Sequence, residues 1–127
     1  MSHEIVDAWF GAMRRGREGE PELLALFHDD AVYVEPFSGA PVQHVGKQAI
    51  RACFRKGWEQ PMPDLTLRVD RVDVDGDLVR AEWVCATSAW PTPIRGVDSY
   101  TLRDGRISRL ETALLGAQTP PEPPPSE

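Results

Sequence analysis

The chain has 127 residues, 41% of them hydrophobic, and a formal net charge of −6. That length fits one domain with one core, and the acidic balance argues against nucleic acid as the main partner, because phosphate binding needs a basic surface. No apolar run approaches the roughly 20 residues that cross a bilayer, so no membrane partner is expected.

The N-terminus, Met1-Ser2-His3-Glu4, shows no basic region followed by an apolar stretch, so no secretory signal is read there. Residues 3–15 predict an amphipathic helix: Ile5, Val6, Trp9, Phe10 and Met13 follow helical spacing, Ser2 can cap the start, and Gly16 is a natural stop. Arg14, Arg15 and Arg17 read as the solvated C-terminus of that helix, where cations suit the dipole. Residues 20–28 predict a second helix, with Pro21 in its first turn and Leu23, Leu24, Leu26 and Phe27 as its apolar side. Asp29-Asp30 breaks it, and Ala31–Glu35 is a short strand closed by Pro36. Residues 37–45 read as a loop. Residues 46–59 predict a third helix, apolar at Ile50, Phe54 and Trp58 and ended by Pro61 and Pro63.

Strands follow. Leu65, Leu67 and Val69 alternate, then Val72 and Val74 alternate in the opposite phase, which predicts a bulge near Asp70-Arg71. Asp75-Gly76-Asp77 is a turn, residues 78–90 a long strand, and Pro91-Thr92-Pro93 the next connection. Residues 94–102 form a strand, Asp104-Gly105 is a hairpin signal, and residues 106–115 form the last strand. Beyond them, residues 117–127 hold five prolines among acidic residues and read as a disordered tail. Helices gathered before hairpin-connected strands imply helices packed on one face of a largely antiparallel sheet. The expectation is a single α+β domain over 1–116, with three helices on a curved antiparallel or mixed sheet that encloses a conical pocket.

Asp98 is the residue that breaks the pattern. It shares a strand face with Ile94, Gly96, Tyr100 and Leu102, and a carboxylate among apolar neighbours must be paired, hydrogen-bonded or protonated. Glu35 ends another apolar run. Two inward carboxylates on different strands suggest a pocket. Trp83 and Trp90 lie on opposite faces of one strand, so at most one faces it. His28, Asp29, Asp30 and His44 show no ligand spacing, so no metal is expected. Arg95 and Arg109 read as exposed strand residues. Cys53 and Cys85 form neither a metal motif nor a disulfide framework; they read as reduced, half-buried thiols, and a cytoplasmic protein is expected. No phosphate-cradling loop or nucleophile triad is present, so any chemistry is expected to be cofactor-free.

The stretch Phe27–Pro36 resembles the helix-to-strand junction of the ketosteroid isomerase / nuclear transport factor 2-like superfamily, and Gly96–Ile107 resembles its penultimate hairpin; the SnoaL-like branch is most similar. The resemblance covers roughly residues 3–115. It implies a cystatin-like cone, commonly homodimeric. It implies that Glu35 stands at the position of a carboxylate base and Asp98 at that of a protonated acid of the oxyanion hole, a carboxylic acid kept neutral so that it donates a hydrogen bond. The family's helix-1 tyrosine is matched only by Gly11 or Ala12, and Tyr33 is the available substitute. The water-activating Asp-Arg-Asp set of the limonene-epoxide-hydrolase-like branch is matched by Trp83, Cys85 and Thr112, so that chemistry is not expected.

The resulting expectation is an isomerase, cyclase or dehydratase acting on an apolar carbonyl compound. Glu35 moves the proton, and Asp98, with Tyr33, stabilises developing negative charge. Trp9, Met13, Phe54, Trp58, Trp83 and Tyr100 are expected to hold the ligand. The alternative is a non-catalytic ligand-binding or dimeric interaction module. For the dimer, the expected contact is the outer face of the strands at 65–75, 78–90 and 106–115, with Leu110 and Leu114 as an apolar patch.

Overall fold

The computed structural model describes residues 3–37, 39–60 and 62–115. The apolar stripe of the first segment folds as α1 (His3–Arg14), which buries Ile5, Val6, Trp9, Phe10 and Ala12. A 3-10 turn (Gly16–Gly19) reverses the chain into α2 (Glu20–Ala25). A Cβ on Gly19 would sit 2.2 Å from the Ala12 carbonyl oxygen, so the absent side chain is what lets the two segments touch. Then come β1 (Phe27–Glu35), β2 (Val42–Val45), α3 (Lys47–Trp58), β3 (Thr66–Asp75), β4 (Leu78–Ala86), β5 (Ile94–Arg103) and β6 (Arg106–Leu114).

The strands form one mixed six-stranded sheet in the order β2-β1-β6-β5-β4-β3. Every pairing is antiparallel except β1 with β6, which is parallel. The α+β architecture is thus as expected, and the bulge falls where the phase slips: Val69 pairs with Trp83 and Arg71 with Glu82, leaving Asp70 between them. The β5–β6 connection is a two-residue turn in which Asp104 and Gly105 both take positive φ, 54° and 78°.

The elements differ from the sequence reading in four places. The second helix stops at Ala25, because Phe27 already pairs with Ile107, and the Leu26 carbonyl accepts the Ile107 N–H at 2.7 Å. The stretch read as a loop over 37–45 contains β2, which pairs with the end of β1. β4 ends at Ala86, not at residue 90: Thr87 turns the chain, accepting the Trp90 N–H through its carbonyl and donating its hydroxyl to the Pro63 carbonyl. Leu110 is fully buried in the core beside Tyr33 and Tyr100, so it offers no outer patch, and Leu114 is half-buried against the same core. The reason is a bulge in β6. Leu102 pairs with Ile107 but Thr101 with Arg109, so Ser108 is left over and Ile107 and Leu110 both face inward despite their odd spacing.

Met1, the capping Ser2, Ser38 in the expected loop, the helix-ending Pro61 and the proline-rich tail lie outside the described residues. Among the described residues no helix is long and apolar enough to cross a membrane.

Candidate functional site

The covered face of the sheet carries two polar clusters joined by Tyr33. The deeper one is built on the β4–β5–β6 ladder. Trp83 and Gly96 are cross-strand partners, and a Cβ on Gly96 would lie 2.3 Å from the indole. The ring therefore lies over the bare glycine and brings Nε1–H to Asp98 Oδ1 at 3.0 Å. Thr112, the partner of Asp98 on β6, donates its hydroxyl to the same oxygen at 2.8 Å. Tyr100, two residues further along the same face, donates to Oδ2 at 2.9 Å. Asp98 is only 3% exposed. Burial drives its pKa from 3.8 up to about 6, against the pull of the hydrogen bonds from Thr112, Trp83 and Tyr100. Burial also pushes the Tyr100 phenol well above its ordinary range, and the neighbouring Asp98 charge adds to the push.

The second cluster lies where β1, β2 and α3 meet. Pro36 stops β1 just after Glu35, which is 9% exposed. The chain turns back so that the Phe37 N–H donates to Glu35 Oε1 at 2.8 Å. β2 then sets His44 opposite Tyr33, the two rings stacked 6.0 Å apart. His44 Nε2 lies 3.0 Å from Glu35 Oε2. α3 contributes Cys53, and the ligand atoms of Glu35, His44 and Cys53 all lie within 4.8 Å of one another. Burial, with the Glu35 charge as a smaller cause, pushes the Cys53 thiol up to about 11. Tyr33 bridges the clusters: its ring packs on His44 and Phe54, and its hydroxyl is in hydrogen-bonding contact with Thr112. Burial is the main cause that raises the Tyr33 phenol well above its ordinary range, so it stands as a neutral donor.

Aromatic rings fill the space between the sheet and the helices. Trp9 meets Phe27, Phe54 and Tyr100 edge-on at 5.7, 5.7 and 6.0 Å. Of the side chains expected to hold a ligand, Trp9, Phe54, Trp83 and Tyr100 are buried, while Met13 and Trp58 are half-buried at the edge of the same cluster. Glu35, Tyr33 and Asp98 come together on the covered face of the sheet, where Thr112 joins Tyr33 to Asp98 and Glu35 is held separately by His44 and the Phe37 N–H. The histidine and aspartates at 28–30 do not join them. His28 meets the Arg103 carbonyl, Asp29 pairs with Lys47, and Asp30 pairs with Arg103.

Sequence reasoning missed Cys53 as a site residue, and it met His44 only as a metal candidate. The available signal was the Val42–Val45 run, whose alternation is too short to stand out from a loop, and the register that sets His44 against Tyr33 is a long-range fact.

Fold and site together define an α+β domain with a buried acid on the β4–β5–β6 ladder and a carboxylate–imidazole pair where β1 and β2 meet; the conical pocket expected from the sequence is filled by the aromatic cluster around Trp9. The SnoaL-like domain family matches residues 6–110, and the chain belongs to that family. No curated protein matches the chain. Among solved structures, one from Sinorhizobium meliloti assigned as a polyketide cyclase is 25% identical, with a TM-score of 0.71 over 87% of this chain and 94% of that one. A protein of Catenulispora acidiphila with a ketosteroid isomerase-like fold, solved in complex with trimethylamine, is 21% identical, with a TM-score of 0.68 over 87% and 84% of the two chains. One of Methylobium petroleophilum with a cystatin-like fold is 15% identical, with a TM-score of 0.72 over 92% and 77%. These last two likenesses bear on the fold alone. The superfamily resemblance read in the sequence is therefore correct.

Proposed function

We propose that the protein is a cofactor-free enzyme that moves a proton next to the carbonyl of an apolar small molecule, as an isomerase, cyclase or dehydratase does. The observation that carries this reading is the Glu35–His44 pair. The carboxylate is nearly buried and held at both oxygens, one by the Phe37 N–H and one by imidazole Nε2. A base fixed in this way abstracts a proton without first reorganising.

In this reading the carbon–hydrogen bond beside the carbonyl breaks, its electron pair moves to the carbonyl oxygen, and the proton passes to a Glu35 oxygen. The enolate oxygen takes a hydrogen bond from Tyr33. Asp98 already accepts three hydrogen bonds, so it serves as the acceptor that fixes Thr112 beside the Tyr33 hydroxyl, and on substrate binding that O–H turns from Thr112 Oγ1 to the enolate oxygen. The aromatic side chains Trp9, Phe54 and Trp58, with Met13, keep water from the enolate. The partners in this reading are an apolar carbonyl ligand and, as the family resemblance implies, a second copy of the chain.

The test is α-proton exchange into D2O, followed by proton NMR on a panel of cyclic ketones and 1,3-diketones. At least one compound is expected to exchange faster with wild type, and Glu35→Gln to lower that rate about 10²–10⁴-fold. Equal rates with and without the carboxylate would overturn the proposal. The second reading, a binding module, is favoured by the saturated Asp98 and the filled interior; its signature is tight ligand binding with no exchange.

A further inference from the structure

Glu35, His44 and Cys53 stand nine residues apart in sequence and on three different elements. The fold nonetheless brings one carboxylate oxygen, one imidazole nitrogen and one thiol sulfur within 4.8 Å of one another. We propose that these three side chains form a binding site for a borderline-soft divalent cation, with Zn2+ the best fit.

The donor set decides the class of ion. A thiolate with an imidazole selects Zn2+ and its transition-metal neighbours, whereas Mg2+ and Ca2+ take oxygen ligands. A tetrahedral ion sets its ligand atoms about 3.3–3.6 Å apart, a spacing between the 3.0 Å Glu35–His44 separation and the 4.8 Å that bounds the three atoms. On binding, the Glu35–His44 separation of 3.0 Å widens by a few tenths of an ångström and the Cys53 sulfur moves in from within its 4.8 Å bound. Three protein ligands leave one position open, as in zinc sites that keep a water. The surroundings are also those of a ligand shell: Tyr33 stacks on the His44 ring and the Phe37 N–H fixes the Glu35 carboxylate, so two of the three ligands are already oriented.

Binding is written with its protons. The Cys53 S–H bond breaks and an S–Zn bond forms, with the proton leaving to solvent. His44 turns its Nε2 lone pair to the ion and carries its ring proton on Nδ1. Bonds to the metal replace the Nε2–H···Glu35 hydrogen bond. The site engages the same carboxylate that the proposed reaction uses, so metal loading would also arrest exchange; that consequence alone rests on the proposed function.

Co2+ is the probe, because it fills zinc sites and reports a thiolate ligand by a charge-transfer absorption. Wild type is expected to take up one equivalent with that band. Cys53→Ser should abolish the band, and Cys85→Ser should keep it. His44→Gln, a change on the largely exposed strand β2, removes one ligand and should keep the band and weaken Co2+ binding about tenfold or more. No band at one equivalent, a band that survives Cys53→Ser in a chain of unchanged circular dichroism, or undiminished affinity in His44→Gln would each overturn the site. Because the readout is absorption, its failure is separate from any failure of the exchange assay.

Discussion

The Trp83 indole lies across Gly96, its cross-strand partner, and the missing Cβ is what allows its N–H to reach Asp98. A side chain at 96 would meet ring carbons at 2.3 Å and shift the indole off the strand. Gly96→Ala is therefore expected to cost about 1–3 kcal/mol as an overpacked core position. Trp83→Phe keeps most of the volume and removes one donor, at about 1–3 kcal/mol for a buried acceptor left short of a partner. Urea denaturation measures both. Coupling between the two in the double variant is the stricter check, since each is argued to break the same hydrogen bond.

Asp98 should give the protein a pH signature. Its pKa rises from 3.8 to about 6 on folding, so between those values the folded chain holds a proton that the unfolded chain has lost. Stability from this group is complete below 3.8, is lost as pH rises through the window, and is gone above about 6. The full change amounts to roughly 3 kcal/mol. Glu20, Glu22, Asp30 and Asp70 have lowered pKa values and act in the opposite direction, but they cancel when Asp98→Asn is compared with wild type. The difference in unfolding free energy, wild type minus variant, is expected to fall as pH rises through the window. A flat difference would mean that the buried carboxyl ionises like an exposed one.

Glu35 separates function from stability. Glu35→Gln keeps an oxygen for the Phe37 N–H, so it should cost less than about 1 kcal/mol while removing the base. Glu35→Ala removes that acceptor too and is expected to cost about 1–2 kcal/mol more. Thermal melts beside the NMR exchange rates test this; equal loss of stability in both variants would show that the carboxylate itself holds the rim together.

The β5–β6 hairpin depends on Gly105, whose φ of 78° favours glycine. Gly105→Ala should cost about 1–2 kcal/mol, whereas Asp104→Gly, at φ 54°, should lie within about 0.5 kcal/mol of wild type. Midpoints of urea unfolding decide it.

What the chain order reveals by itself is set by local periods. Alternation in β5 put Asp98 on the apolar face beside Tyr100, the phase slip at Asp70 marked a bulge, and Asp104-Gly105 marked a hairpin, because each signal spans only a few residues of backbone geometry. What alternation cannot say is which face the helices cover or which strand lies alongside. That is why Leu110 read as surface and lies in the core, why β2 went unseen, and why the meeting of Glu35 with His44 and Cys53 emerged only once β1, β2 and α3 were packed. Sequence determined an α+β fold of the SnoaL-like kind and its buried acid. The tertiary structure alone decided the surroundings of both carboxylates, because strand register and helix docking are settled by contacts between residues far apart in the chain, where packing and hydrogen bonding outweigh local preference.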